Sequence, residues 1–116
     1  MASVQKTYAL ILGIVLLIIG IWGFFTQSIL NIFGVNATQS ILHIIAGLFG
    51  VYVGTKGKGP GYNMTIGWIG IVLGILGYVP SVDTLLLQYL NINTAITILH
   101  LAIGVISLGV YYGTKK

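Results

Sequence analysis

Two side chains that titrate near neutral pH stand inside otherwise uncharged apolar runs: His43 and His100. An ionisable residue in such a run is a functional-site hypothesis by default. Two neutral imidazoles facing each other could hold haem iron or a metal ion. They could also relay protons, with Asn36, Asn93, Ser40 and Thr97 holding water. The competing reading is structural: each imidazole bonds a carbonyl or an Asn on another helix and fixes register, a bond averaging about 0.6 kcal/mol. Two histidines leave a tetrahedral metal two ligands short, Cys is absent, and the sole acid, Asp83, lies outside the apolar runs. Neither a carboxylate pair nor a nucleophile–base–acid set can be assembled within one chain. The expectation is therefore no enzyme, no catalytic residue, no bound metal and no cofactor.

The composition says what must position these residues. Of 116 residues 57% are hydrophobic and 5% charged, with 17 glycines, against about 25% charged in soluble domains. So few charges cannot solvate a water-soluble surface, and disorder is excluded by the wealth of Ile, Leu, Val and aromatics. An integral membrane protein remains, read as a single domain over residues 1–116 with no room for a soluble module. Four uncharged runs, Tyr8–Phe25, about Ala37–Gly54, Met64–Val79 and Ala95–Tyr112, are near the lower limit for a membrane-spanning helix. Their lack of period-2 alternation argues against a barrel. The first is read as a retained helix rather than a signal peptide, since Trp22, Phe24 and Phe25 stand where small residues would mark cleavage.

Lys6, Lys56, Lys58, Lys115 and Lys116 all fall on one side of this four-span arrangement, and Asp83 on the other. Basic residues in short loops stay cytoplasmic, which puts both termini and the loop between the second and third spans inside. The lysine clusters are too small for phosphoinositide binding, and no nucleic-acid partner is expected. Trp22, Tyr78 and Tyr89 near one boundary, and Tyr8, Tyr52, Tyr62, Trp68, Tyr111 and Tyr112 near the other, read as aromatic belts. The outer connections Thr26–Val35 and Ser81–Ile92 read as interfacial or re-entrant segments, the second with a short helix capped by Ser81 or Asp83. The glycine-rich Lys56–Gly61 loop lacks the GxxxxGK[ST] pattern and reads as a linker.

The sequence also repeats itself. A shift of 57 residues lays Gly13-Ile-Val-Leu16 on Gly70-Ile-Val-Leu73, Gly20 on Gly77, Asn36 on Asn93, Ile41-Leu-His43 on Ile98-Leu-His100, and Gly47 on Gly104. Repeat 1 spans about residues 8–56 and repeat 2 about 64–115. Each reads as a helical hairpin, and two hairpins in the same orientation make a parallel repeat about an axis along the membrane normal. The expected fold is an all-α, pseudo-two-fold bundle of four transmembrane helices. Asn36, Ser40, His43 and Gly47, and their mates Asn93, Thr97, His100 and Gly104, recur at helical spacing and mark one face. Gly70, Gly74 and Gly77 on the third helix, with Gly13 and Gly20 on the first, mark packing seams, because small residues let backbones approach in lipid.

With Phe33-Gly-Val-Asn36 before Ile41-Leu-His43, and Leu90-Asn-Ile-Asn93 before Ile98-Leu-His100, the chain resembles a group of small four-span prokaryotic membrane proteins classed as a domain of unknown function. It departs from their pattern at Asn91, where glycine is the rule. The resemblance implies topology and no activity. A structural or accessory component of the cell membrane is the leading expectation, as a subunit of a larger complex or a homo-oligomer, with lipid and other membrane proteins or itself as partners. The alternatives are a small transporter, channel or proton conduit using the polar seam, and haem or metal binding by the histidine pair.

Overall fold

Long runs of Ile, Leu and Val without charges fold as helices that dominate the chain. The computed structural model describes residues 2–30, 32–57 and 59–114. In chain order these form α1 (Ala2–Trp22), a strand pair β1 (Ser28–Ile29) and β2 (Phe33–Gly34), α2 (Ala37–Lys56), α3 (Pro60–Leu76), α4 (Val82–Leu90) and α5 (Thr94–Thr114). Three of the helices, within α1, α2 and α5, are long and apolar enough to cross a membrane; α3 is an apolar helix of 17 residues. Lys58, Lys115 and Lys116, on which much of the charge-sidedness argument rests, lie outside the described residues.

Helix ends differ from the sequence reading for local reasons. The first helix starts at Ala2, ahead of Tyr8, because Gln5 is accommodated inside the bundle with no exposed surface. It stops at Trp22, short of Phe25. The third begins at Pro60, whose fixed φ and missing N–H suit the first helical position.

Principal packing runs α1 along α2 and α3 along α5, with slighter contacts from α1 to α3 and α5. The two outer connections are built differently. Thr26–Val35 makes a small antiparallel ribbon pairing Ser28 with Gly34 and Ile29 with Phe33. The second connection holds the nine-residue α4. Neither expected cap forms there: Ser81 precedes α4 at φ 72 without a side-chain bond, outside the extended backbone that capping uses. Asp83 Oδ1 instead accepts from its neighbour Thr84 N at 2.7 Å.

Asn91 ends α4 in the left-handed conformation, φ 54 and ψ 33, which Asn adopts more readily than other residues with a Cβ. Its side chain donates to the carbonyls of Gln27 (2.9 Å) and Val35 (2.7 Å). A Cβ on the repeat-mate Gly34 would collide with the Asn91 carbonyl. The glycine-to-asparagine departure thus gives one small and one bonding residue packed against each other.

Candidate functional site

Asn36 and Asn93 begin the helices that carry the histidines, and they do so by the same bonds. Asn36 Oδ1 accepts from Gln39 N at 2.8 Å, and Asn93 Oδ1 from Ile96 N at 3.0 Å, each a cap on the third residue of its helix. Each side-chain amide then crosses to the other repeat: Asn36 Nδ2 donates to Tyr89 O (2.9 Å) and Asn93 Nδ2 to Ile32 O (3.0 Å). Ile32 and Tyr89 are separated by the same 57 residues as Asn36 and Asn93, so the bonds are reciprocal. Gln39 adds a second link, from Nε2 to the carbonyls of Gly34 (3.1 Å) and Leu90 (2.7 Å). Asn36→Ala and Asn93→Ala are each expected to cost about 1–2 kcal/mol, by similar amounts, when unfolding is followed in detergent. An effect at one position alone would contradict the reciprocal arrangement.

Seven residues along α2 and α5 from these caps, about 10 Å at 1.5 Å per residue, His43 and His100 meet. Their ring centroids lie 6.1 Å apart at an interplanar angle of 64°. The structural reading from sequence gave each imidazole a polar partner on another helix; instead Nδ1 of both rings is buried without any hydrogen-bond partner. The physical reason lies in the neighbouring groups. Thr97 is committed to its own helix through Asn93 O at 2.9 Å, and both Asn amides are spent on the cross-repeat carbonyls. Ser40 is fully buried with its Oγ unpartnered, against Gly23, where a Cβ would collide with that hydroxyl.

The seam glycines sit at close approaches between helices, Gly13, Gly47, Gly70 and Gly104 against backbone atoms. A Cβ on Gly13 would lie 2.6 Å from Val51 N and 2.7 Å from Gly47 O; one on Gly47 would lie 2.7 Å from Gly13 O. In the other pair, a Cβ on Gly70 would lie 2.5 Å from His100 O, and one on Gly104 2.6 Å from Ile71 N. Gly20 faces Ile44 and Ser40, Gly74 faces Leu101, and Gly77 faces Thr97.

A second polar cluster, absent from the sequence reading, sits near the start of α1. Asn63 Nδ2 donates to Gln5 O (3.0 Å) and Gln5 Oε1 (2.8 Å), and Gln5 Nε2 donates to Val110 O and Tyr111 O, both at 3.1 Å. Tyr8 and Tyr62, assigned by sequence to an aromatic belt, turn their hydroxyls inward. Tyr8 Oη pairs with Ser107 Oγ at 2.6 Å, and Tyr62 Oη donates to Ala46 O at 2.8 Å. Two shallow surface grooves, one on α2 (Ile45, Leu48, Phe49, Tyr52) and one beside α1 and α5 (Val4, Tyr8, Val110), are lined by neither histidine. Among the described residues no three of His, Cys, Asp and Glu come together.

No curated protein and no solved structure matches the chain. One family pattern does, from residue 6 to residue 113 and so through both Asn–His helices, and the chain belongs to that family, described as a domain of unknown function, DUF4383.

Proposed function

We propose that the chain is an integral membrane protein of four transmembrane helices, built as two tandem hairpins in parallel orientation about a pseudo-two-fold axis. Both termini are cytoplasmic, and the protein acts as a non-enzymatic structural or accessory component of the cell membrane. The observation that carries this reading is the inverted polarity of the interior. Among the described residues, five of the six largest fully buried side chains are polar (Gln5, Asn63, Thr97, Ser40 and Ser107, beside Val35), while Ile11, Ile18, Leu48, Phe49, Ile75 and Val105 are among many exposed apolar ones. Water would drive the opposite arrangement. In hydrocarbon, helices associate through small residues and cross-helix hydrogen bonds, and apolar side chains cost nothing on the outside.

The 17 residues of α3 rise about 25 Å, and a bilayer adapts to a helix this short by thinning locally. The reciprocal Asn36–Tyr89 and Asn93–Ile32 bonds support the parallel repeat, because a two-fold axis exchanges them. The accessory role rests on a sequence that assembles neither a carboxylate pair nor a nucleophile–base–acid set, and on the lipid-facing helix surfaces, which suit a second copy or another membrane protein. The test is purification in mild detergent with mass measured by light scattering, beside proton and ion flux in liposomes. The expected result is a defined assembly and no flux. A flux that His43→Ala abolishes would replace this reading with that of a conduit.

A further inference from the structure

The histidine pair goes beyond a packing role. Each neutral imidazole carries one N–H and one lone pair, and burial leaves Nδ1 of both His43 and His100 unsatisfied. An unmade bond in such surroundings is costly, so the pair is suited to a ligand that both rings share. A direct N–H···N bond of about 2.9 Å would draw the ring centroids to about 5.1 Å, given ring nitrogens about 1.1 Å from centre for bonds of about 1.33 Å. The observed separation is 6.1 Å in an edge-on contact at 64°, too wide for a direct bond and, with one nitrogen of each ring turned to the other, wide enough for one ion. A metal about 2.0 Å from each nitrogen gives about 6.2 Å when nitrogen, metal and nitrogen are in line, but only about 5.1 Å at a tetrahedral opening.

We propose that His43 and His100 form a two-coordinate site for a monovalent, soft d10 cation, Cu(I) in the first instance, held between the two repeats. In-line coordination by two neutral nitrogens is a geometry that closed-shell monovalent ions accept. Zinc in structural sites takes four ligands, and here no third His, Cys, Asp or Glu joins the pair among the described residues. Charge argues the same way. The chain has a single acid, Asp83, which is exposed on α4, so no carboxylate stands beside the rings. The penalty for a buried charge rises steeply with its magnitude, which favours a monovalent ion. Haem iron would span the rings equally well, but the helices leave no slot for a porphyrin. Gly70 packs on the carbonyl of His100 itself, and Gly13 packs on Gly47, one turn from His43. The site adds a ligand to the membrane component proposed above, and either can fail alone.

The test uses the full chain in mild detergent, kept anaerobic, with Cu(I) supplied as its coloured bicinchoninate complex. Wild type is expected to withdraw one Cu(I) per chain, to show two nitrogen neighbours and no others by X-ray absorption, and to melt at a higher temperature with Cu(I) but not with Zn(II). His43→Ala and His100→Ala are each expected to lose uptake, and His43→Met to retain it through its soft thioether. If either alanine variant unfolds, stoichiometry and ligand count in wild type decide alone. No uptake by wild type, undiminished uptake by both folded alanine variants, three or more ligands, or a Soret band in the protein as purified would each overturn the site.

Discussion

Gly13→Leu is expected to abolish the folded bundle. A Cβ at Gly13 would meet Val51 N at 2.6 Å, Gly47 O at 2.7 Å and Gly50 C at 2.8 Å, all of them backbone atoms of α2. Overpacking costs about 1–3 kcal/mol where side chains can give way. Here a whole helix must move out along its seam, which puts the cost above that range. The same change at Gly74 meets Leu101 alone, at Cβ (2.7 Å), Cδ1 (2.9 Å) and Cα (3.1 Å); only Cδ1 can turn aside, so Gly74→Leu is expected to cost less than Gly13→Leu but to reach the upper end of that range. Gly109→Leu, with nothing within 4 Å of its Cβ position, is expected to be neutral. Helicity and melting temperature in detergent give the order Gly13, then Gly74, then Gly109. A Gly13→Leu protein as stable as wild type would contradict the close approach of α1 to α2.

Asn63→Leu is expected to be the most damaging change at a polar position, at about 1–3 kcal/mol. Asn63 is fully buried and supplies donors to both oxygens of Gln5. Gln5 in turn ties α1 to α5 through the Val110 and Tyr111 carbonyls. Losing Asn63 withdraws two donors inside the bundle and leaves an apolar side chain against amide oxygens. Thr65→Ala, which removes an exposed bond to Gly61 O two residues along the same helix, is the control and should change stability by no more than about 0.5 kcal/mol. Equal melting temperatures for the two variants would show that the Gln5–Asn63 cluster does not hold the helices.

The helices are legible in the sequence because charge is missing from them, and the Asn–His faces because they are written twice. Gln5 and Asn63 are not, since the shift that aligns the repeats sets Tyr62 on Gln5 and Asn63 on Lys6. A lone amide with no repeat-mate carries no signal. Spacing along a helix orders Asn36, Ser40 and His43 on one face but is silent about distance across the bundle, so the meeting of the two rings comes only from the fold. The same holds for the unsatisfied Nδ1 atoms. Whether an imidazole finds a partner depends on which carbonyls the neighbouring amides have already taken.

The absence of cysteine allows the topology to be read from single cysteines in intact cells. Gly61→Cys and Gly113→Cys fall where a side chain meets nothing within 4 Å, and Asp83→Cys is exposed on α4. If α3 and α5 both cross, a membrane-impermeant maleimide labels Asp83→Cys from outside and leaves Gly61→Cys and Gly113→Cys unlabelled until the cells are opened. If α3 does not cross, Gly113→Cys is labelled from outside and Asp83→Cys is protected, and the parallel pair of hairpins is contradicted.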